Sequence, residues 1–236
     1  MSDRPKVAII TGASQGIGAG LASAFRDAGY AVVGTARTIE PSEETDFATV
    51  AGDIADPETA GRVVTCALER FGRIDALVNN AGVFIGKRFT EYTVEDYATL
   101  VAVNLTGFFH ITQRAIRQMD SQRAGHVVNV STSLVEHARS SSPSALAALT
   151  KGGLNAVTRS LAIEYAARNV RVNTVALGVI ETPTHRPEEY AGLAGIHPLG
   201  RVGTITDVVA GVLYLERATF VTGETLHIDG GQAAGH

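Results

Sequence analysis

One cysteine, Cys66, stands in 236 residues. A lone cysteine closes no disulfide within the chain, so nothing here asks for an oxidising compartment. Its place inside a helical pattern marks it as a buried or half-buried structural thiol rather than a nucleophile. Proline is also scarce, with seven residues, which excludes a Pro/Gly-rich disordered chain. Positive charge is short: 20 Lys and Arg face 24 Asp and Glu, for a net charge of −4. No Lys/Arg cluster is able to neutralise a row of phosphates, so nucleic acid is not expected as a ligand. No apolar run reaches the roughly 18 residues of a membrane helix. The opening MSDRPKVAII has charges, then a strand-length apolar run and a glycine turn, unlike a signal peptide. These absences together lead us to expect a soluble, cytoplasmic protein that handles a small molecule, with no membrane partner.

Glycine, by contrast, is abundant. The 25 glycines are about 11% of the chain, against a usual ~7%. With few prolines beside them, they should mark tight turns and close backbone approaches. The length suits one buried core and is too short for two ordinary domains, so residues 1–236 read as a single domain.

Apolar runs of strand length alternate with helical patterns along that domain. Strands are predicted at Val7–Ile10, Ala31–Gly34, Thr49–Gly52, Ala76–Val78, His126–Val130, Val170–Ala176 and Leu226–Ile228. Helices are predicted over Ile17–Ala28, from Asp56-Pro57-Glu58 to about Phe71, and from Thr93 through Asn104 and Phe109 to about Met119. Two more run from Ser142-Pro143 through Lys151 to about Ala167, and over Val208–Leu215 after the capping box Thr204-x-x-Asp207. Such alternation means βαβ units. The fold expected is α/β, a doubly wound Rossmann-type domain with a mostly parallel sheet and helices on both faces.

The first strand leads into TGASQGIG at 11–18, which opens the first helix. Glycines there let backbone approach a pyrophosphate, which then sits on the helix N-terminus. The spacing differs from GxGxxG, and alone the turn is equally a plain tight turn. Further along come AGDIAD (51–56), NNAG (79–82), VNLTGFF (103–109), VVNVS (127–131), TKGG (150–153), RVNTVALGVIETP (171–183), PLGRVG (198–203) and VTGETLHIDGG (221–231). In this order and at these separations the chain resembles the short-chain dehydrogenase/reductase family over essentially its whole length.

The resemblance implies a cofactor site. Gly12, Ser14, Gln15, Gly16, Ile17 and Gly18 match the pyrophosphate loop, and Asp53 and Ile54 the residues at the adenine. Asn80, Ala81 and Gly82 match the segment beneath the adenosine ribose, where Asn79-Asn80 otherwise read as a polar loop. Gly178, Val179, Ile180 and Thr182 match the stretch that grips the nicotinamide half; Leu177 stands where the family usually has proline. Cofactor choice turns on the end of the second strand. That position is Ala36, followed by Arg37. No acid is there to accept from a ribose hydroxyl, and an arginine pairs well with a 2′-phosphate. NADP(H) is therefore favoured over NAD(H), although Gln15 stands where many NADP-preferring relatives carry a basic residue.

The family usually works with Asn, Ser, Tyr and Lys. Lys151 matches the lysine, which holds the nicotinamide ribose, and Asn104 the asparagine of a water-linked proton path. Counted from Asn129, the serine position falls on Thr132, with Ser131 and Ser133 close enough to compete. The tyrosine is absent: Ala147 stands four residues before Lys151, and SPSALAALTKGG contains no tyrosine. Tyr165 lies fourteen residues after Lys151, ~21 Å along a helix axis. The stretch from Asn129 to Lys151 is also about two residues longer than the family's.

Three readings stay open. Another group donates the proton, with His137 and the hydroxyls of Ser140 to Ser142 as candidates on the adjoining loop. Alternatively, the substrate needs no tyrosine, as with an iminium carbon that arrives charged or an activated alkene. Or the chain binds NADP without turnover, as a sensor or inactive partner subunit. His185 and Tyr190 lie in Pro183–Pro198, which replaces the family's substrate-covering segment and reads as a lid or an exposed loop. The function expected is an NADP(H)-dependent reductase acting on a carbonyl or imine-like carbon, in a homotetramer or homodimer, with no metal.

Overall fold

The computed structural model describes residues 4–183 and 190–235. Seven strands form one sheet: β1 (Val7–Thr11), β2 (Ala31–Ala36), β3 (Phe47–Ala51), β4 (Ala76–Asn79), β5 (Gly125–Thr132), β6 (Val170–Leu177) and β7 (Thr225–Ile228). Their order is β3-β2-β1-β4-β5-β6-β7. Every pairing is parallel, from Val32↔Phe47 at one edge to Leu177↔Ile228 at the other. Helices α1 (Gly16–Asp27), α2 (Pro57–Phe71), α3 (Val94–Val101), α4 (Phe108–Gln122), α5 (Ala145–Glu164), α6 (Tyr190–Ala194) and α7 (Ile205–Arg217) connect them.

The strands are apolar on both sides because both sides are covered. In β1, Val7 and Ile9 face one core with Val63 of α2, Ile111 and Met119 of α4 and Ala162 of α5. Ala8 and Ile10 face the other, with Leu21 and Phe25 of α1 and Val208, Val212 and Leu215 of α7. Strand order reverses between β1 and β4, and in open α/β sheets the crevice beyond such a switch point receives the ligand. No helix among the described residues is long and apolar enough to cross a membrane.

Local chemistry sets the boundaries. Asp56 caps α2 by accepting from the Glu58 N–H at 2.9 Å, Pro57 opens the helix and Gly72 ends it at φ 85°. Thr204 and Asp207 close a capping box on α7. Three expectations need correction. The predicted long helix from Thr93 is two helices joined by a π-helical segment, Ala102–Gly107. A methyl at Gly107 would come 2.8 Å from Ile54 Cγ2, and the widened turn buries Asn104. π-bulges concentrate at functional sites. Helix α5 begins at Ala145, not Ser142, because the Ser142 N–H turns back onto the Arg139 carbonyl at 3.1 Å. Asn79 is no loop residue: it ends β4, buried, with its amide donating to Thr112 Oγ1 and Asn129 Oδ1, both at 2.9 Å.

At the opposite end of the sheet, buried His126 meets the Glu216 carboxylate through Nδ1 at 2.6 Å, and the Tyr30 hydroxyl donates to the same carboxylate at 2.7 Å. Burial pushes the His126 imidazole down, against the pull of Glu216. This cluster ties β5 to α7, away from the cleft.

Candidate active site and cofactor cleft

The turn after β1 is fixed to the end of β2. Gly12 and Ala13 donate their N–H groups to the Thr35 carbonyl at 2.7 and 3.1 Å. Gly12 holds φ 69°, the left-handed region open to glycine. Gly18 packs α1 directly on the turn, where a methyl would lie 2.1 Å from the Gly12 carbonyl oxygen. Gln15 precedes α1 with no side-chain cap, and the first turn holds no acid. The positive end of this helix is thus left for an outside anion. Ser14 and Gln15 are exposed; Gly16 and Ile17 are half-buried beside them.

Ala36 closes β2. Arg37 follows, exposed, with no hydrogen bond or ion pair among the described residues. Across the turn, the Asp53 carboxylate accepts from the Ala55 N–H at 3.0 Å, and Ile54 is buried against Gly107.

Asn80 braces the β4 end. Its amide donates to the Thr11 and Gly12 carbonyls at 2.9 and 3.3 Å. The Asn80 and Ala81 N–H groups both donate to Thr11 Oγ1, at 3.0 and 2.9 Å. Thr11, buried, is a site residue that sequence reading missed; a threonine closing an apolar strand was its one signal.

Lys151 and Asn104 come together beside Gly82. A methyl at Gly82 would sit 3.1 Å from Lys151 Nζ and 3.4 Å from Asn104 Oδ1. Lys151 Nζ donates to the Val130 carbonyl at 3.0 Å, and burial pushes the ammonium down to about 8. Asn104 accepts from the Val83 N–H at 2.9 Å and donates to the Val83 carbonyl at 3.0 Å and Thr150 Oγ1 at 3.1 Å. Thr150, one residue before the lysine, is a second missed residue: it fastens Asn104 to α5.

The three hydroxyls at the end of β5 have different surroundings. Ser131 is buried and donates weakly to the Lys151 carbonyl, at 3.4 Å. Ser133 is fully covered and donates to Asp229 Oδ2 at 2.7 Å. Thr132 is partly exposed, its Oγ1 accepting from the Leu134 N–H at 3.3 Å. His137 lies half-exposed on the following turn, its N–H held by the Ser133 carbonyl at 2.9 Å. Ala147 sits on α5 one turn before Lys151, and its methyl is completely buried.

The stretch after β6 is also braced. Gly178 donates to the Ile228 carbonyl, Gly203 to the Val179 carbonyl and Glu181 to the Gly203 carbonyl, at 3.1, 2.9 and 2.8 Å. Ile180 pairs with Gly203. Thr182 accepts from the Tyr190 hydroxyl at 3.0 Å, so a phenol does reach this stretch, from α6. His185 lies outside the described residues. The Asp229 carboxylate gathers Ser133 Oγ and the Gly231 and Ala233 N–H groups. Burial alone would raise it, but these bonds hold it below the usual range.

At the β1/β4 switch point a lysine and an asparagine thus meet beside Gly82. Residues 12–233 match the family model described as Enoyl-(Acyl carrier protein) reductase, and the chain belongs to this family of short-chain dehydrogenases/reductases. It is 34% identical over 238 residues to the 3-oxoacyl-[acyl-carrier-protein] reductase FabG of Vibrio cholerae, covering 96% of both chains. It is also 34% identical over 244 residues to 3beta-hydroxysteroid dehydrogenase 1 of Eggerthella lenta, covering 96% of this chain and 93% of that one. Among solved structures, ElxO with NADP bound superposes with a TM-score of 0.92 at 30% identity, over 98% of this chain and 100% of ElxO.

Proposed function

We propose that the protein is an NADP(H)-dependent reductase of a carbonyl or imine-like carbon, working with a proton donor other than the tyrosine its relatives use. One observation carries this: the Lys151 ammonium and the Asn104 amide converge on Gly82, in the same cleft as an uncapped helix N-terminus. Residues 12 and 14–18 would hold the pyrophosphate, Asp53 and Ile54 the adenine, Asn80 to Gly82 the adenosine ribose, and Gly178 to Thr182 the nicotinamide half. The NADP-bound ElxO relative supports this cofactor class, and the two named enzymes support carbonyl–alcohol chemistry. NADPH, when bound, supplies the hydride.

The chain's own groups then have defined work. Lys151 holds the nicotinamide ribose and places a positive charge where negative charge develops on the substrate. Thr132, the one partly exposed residue of its trio, hydrogen-bonds the substrate's oxygen or nitrogen. Asn104, fixed by Val83 and Thr150, orients a water that carries the proton onward. No hydroxyl stands at position 147, so the final proton comes from water, His137 or Tyr190. A ketone oxygen gains negative charge as hydride arrives and so draws on the Lys151 ammonium, whereas an iminium carbon needs little help from an acid. The alanine at 147 equally favours a second reading, an NADP-binding protein without turnover. Titration with NADPH and NADH, followed by ketone, imine and enone panels, separates the two: binding with no turnover on any panel leaves the second.

Arg37 supports NADP over NAD, since its guanidinium is uncommitted beside the end of β2. Arg37→Ala should weaken NADPH about tenfold or more, the loss of a charge-assisted contact, and leave NADH affinity unchanged. Equal NADPH affinity in variant and wild type would remove Arg37 from the site.

We further propose a homotetramer or homodimer. Val94 and Tyr97 on α3, Phe109 on α4, and Leu149 and Ile163 on α5 are large apolar side chains exposed on one chain. Light scattering should return a mass of four or two chains; a monomer at micromolar concentration would contradict this.

A further inference from the structure

The stretch that follows β6 leaves the sheet at Leu177-Gly178 with no proline to fix its backbone. Its restraint comes from outside the stretch. His197 is buried, with 3% of its surface exposed. Its Nε2 accepts from the Val179 N–H at 3.3 Å, and its Nδ1–H donates to the Asp229 carbonyl at 2.7 Å. A backbone N–H only donates and a carbonyl only accepts. The two bonds therefore require a neutral ring with its proton on Nδ1. The ring lies tight against the backbone: a methyl at Gly178 would come 2.5 Å from His197 Cε1. Asp229 is itself anchored, since its carboxylate accepts from Ser133 Oγ at 2.7 Å and from the Gly231 and Ala233 N–H groups at 2.9 and 2.8 Å. A continuous chain thus runs from Ser133, beside Thr132, through Asp229 and His197 to Val179.

We propose that His197 is a positioning residue for the reaction. Its imidazole sets the Gly178–Val179 backbone so that the stretch to Thr182 receives the nicotinamide half of the cofactor, in fixed relation to the end of β5. The inference rests on the cofactor reading above. In this role His197 acts only through the Gly178–Val179 backbone. Its position, one residue before PLGRVG, gave no sequence signal for this role.

The test is titration of wild type, His197→Phe and His197→Gln with NADPH and with 2′,5′-ADP, which carries the phosphorylated adenosine half and no nicotinamide. Phenylalanine keeps the ring's volume and loses both bonds. It should weaken NADPH about tenfold, as expected for an unpaired buried N–H, and leave 2′,5′-ADP affinity as in wild type. Glutamine offers an amide oxygen to Val179 and should restore most of the NADPH affinity. If His197→Phe does not fold, His197→Asn replaces it: a donor to Asp229 is retained and the acceptor for Val179 is lost, so NADPH weakens relative to His197→Gln. A parallel loss of NADPH and 2′,5′-ADP would make His197 merely structural and overturn the proposal. So would unchanged NADPH affinity in the phenylalanine variant. Wild type that binds neither NADPH nor NADH would instead overturn the cofactor reading, and this inference with it.

Discussion

Lys151→Met should give a more stable apoprotein and an almost inactive enzyme. The Lys151 ammonium is pushed from its ordinary 10.5 down to about 8 by burial, and it has no ion pair among the described residues; its bond is to the Val130 carbonyl. At neutral pH the folded chain therefore carries a desolvated cation that the unfolded chain carries in water. Methionine fills similar space without that cost. The Val130 carbonyl loses a donor, but a carbonyl tolerates this better than a buried charge tolerates its site.

The sign follows from linkage. Between about pH 8 and 10.5 the folded wild type has released the proton that the unfolded chain still holds, so wild-type stability climbs with pH across this window. The methionine variant has no such climb. Its melting point should exceed that of wild type by on the order of 5 °C at pH 7, and the gap should shrink towards pH 10. Turnover should fall about 100-fold or more, since a charge aimed at the developing anion is removed. A variant less stable than wild type at pH 7 would mean that Lys151 carries structural weight beyond its bond to Val130.

Gly18→Ala should sharply weaken cofactor binding with only moderate damage to the fold. The added methyl would lie 2.1 Å from the Gly12 carbonyl oxygen and 2.7 Å from Asn80 Nδ2. The first is backbone, so the turn itself must move. Overpacking of this kind costs about 1–3 kcal/mol of stability, while a shift of even 1 Å misaims every N–H that would face a pyrophosphate in the proposed site. NADPH affinity should drop by about two orders of magnitude, a scale reached when positioned contacts are displaced. Gly61→Ala is the control: the nearest atom, Arg114 Nε, is 3.9 Å away, and alanine suits a helix interior. That variant should bind as wild type and melt slightly higher. Wild-type affinity in Gly18→Ala would mean that the turn does not form the phosphate site.

Much of this was legible in the sequence, for identifiable reasons. Helix α2 ran as expected from Asp56 to Phe71 because its cap, proline and terminal glycine are all local signals. The parallel sheet followed from the alternation of apolar runs with helical periods. What stayed hidden depends on contacts distant in the chain. The π-helical segment around Asn104 packs on Ile54 and bonds to Thr150, contacts that no helical pattern encodes. Ser133 looked like a rival to Thr132 until Asp229, 96 residues away, was seen to hold its hydroxyl. His197 lay in a stretch that read as lid or loop, and its meaning comes from Val179 and Asp229 alone. Tyr190 lay in the same lid-or-loop stretch, and only the fold shows its hydroxyl reaching the Thr182 carbonyl. The alanine at 147 was plain from the start, and its complete burial sharpens it: a tyrosine could enter there only by displacing what covers the methyl.

That alanine makes the fate of the hydride the decisive observable. Wild-type protein would be incubated with NADPH carrying deuterium at the transferring position and, in turn, with a cyclic imine, a ketone and an enone, and the products weighed by mass spectrometry. Deuterium should appear in at least one reduced product, and in an alcohol formed from the ketone the rate should fall about 100-fold or more in Lys151→Met, because negative charge develops on that oxygen. Protein that binds NADPH tightly yet transfers deuterium to none of the three would contradict the assignment as a reductase.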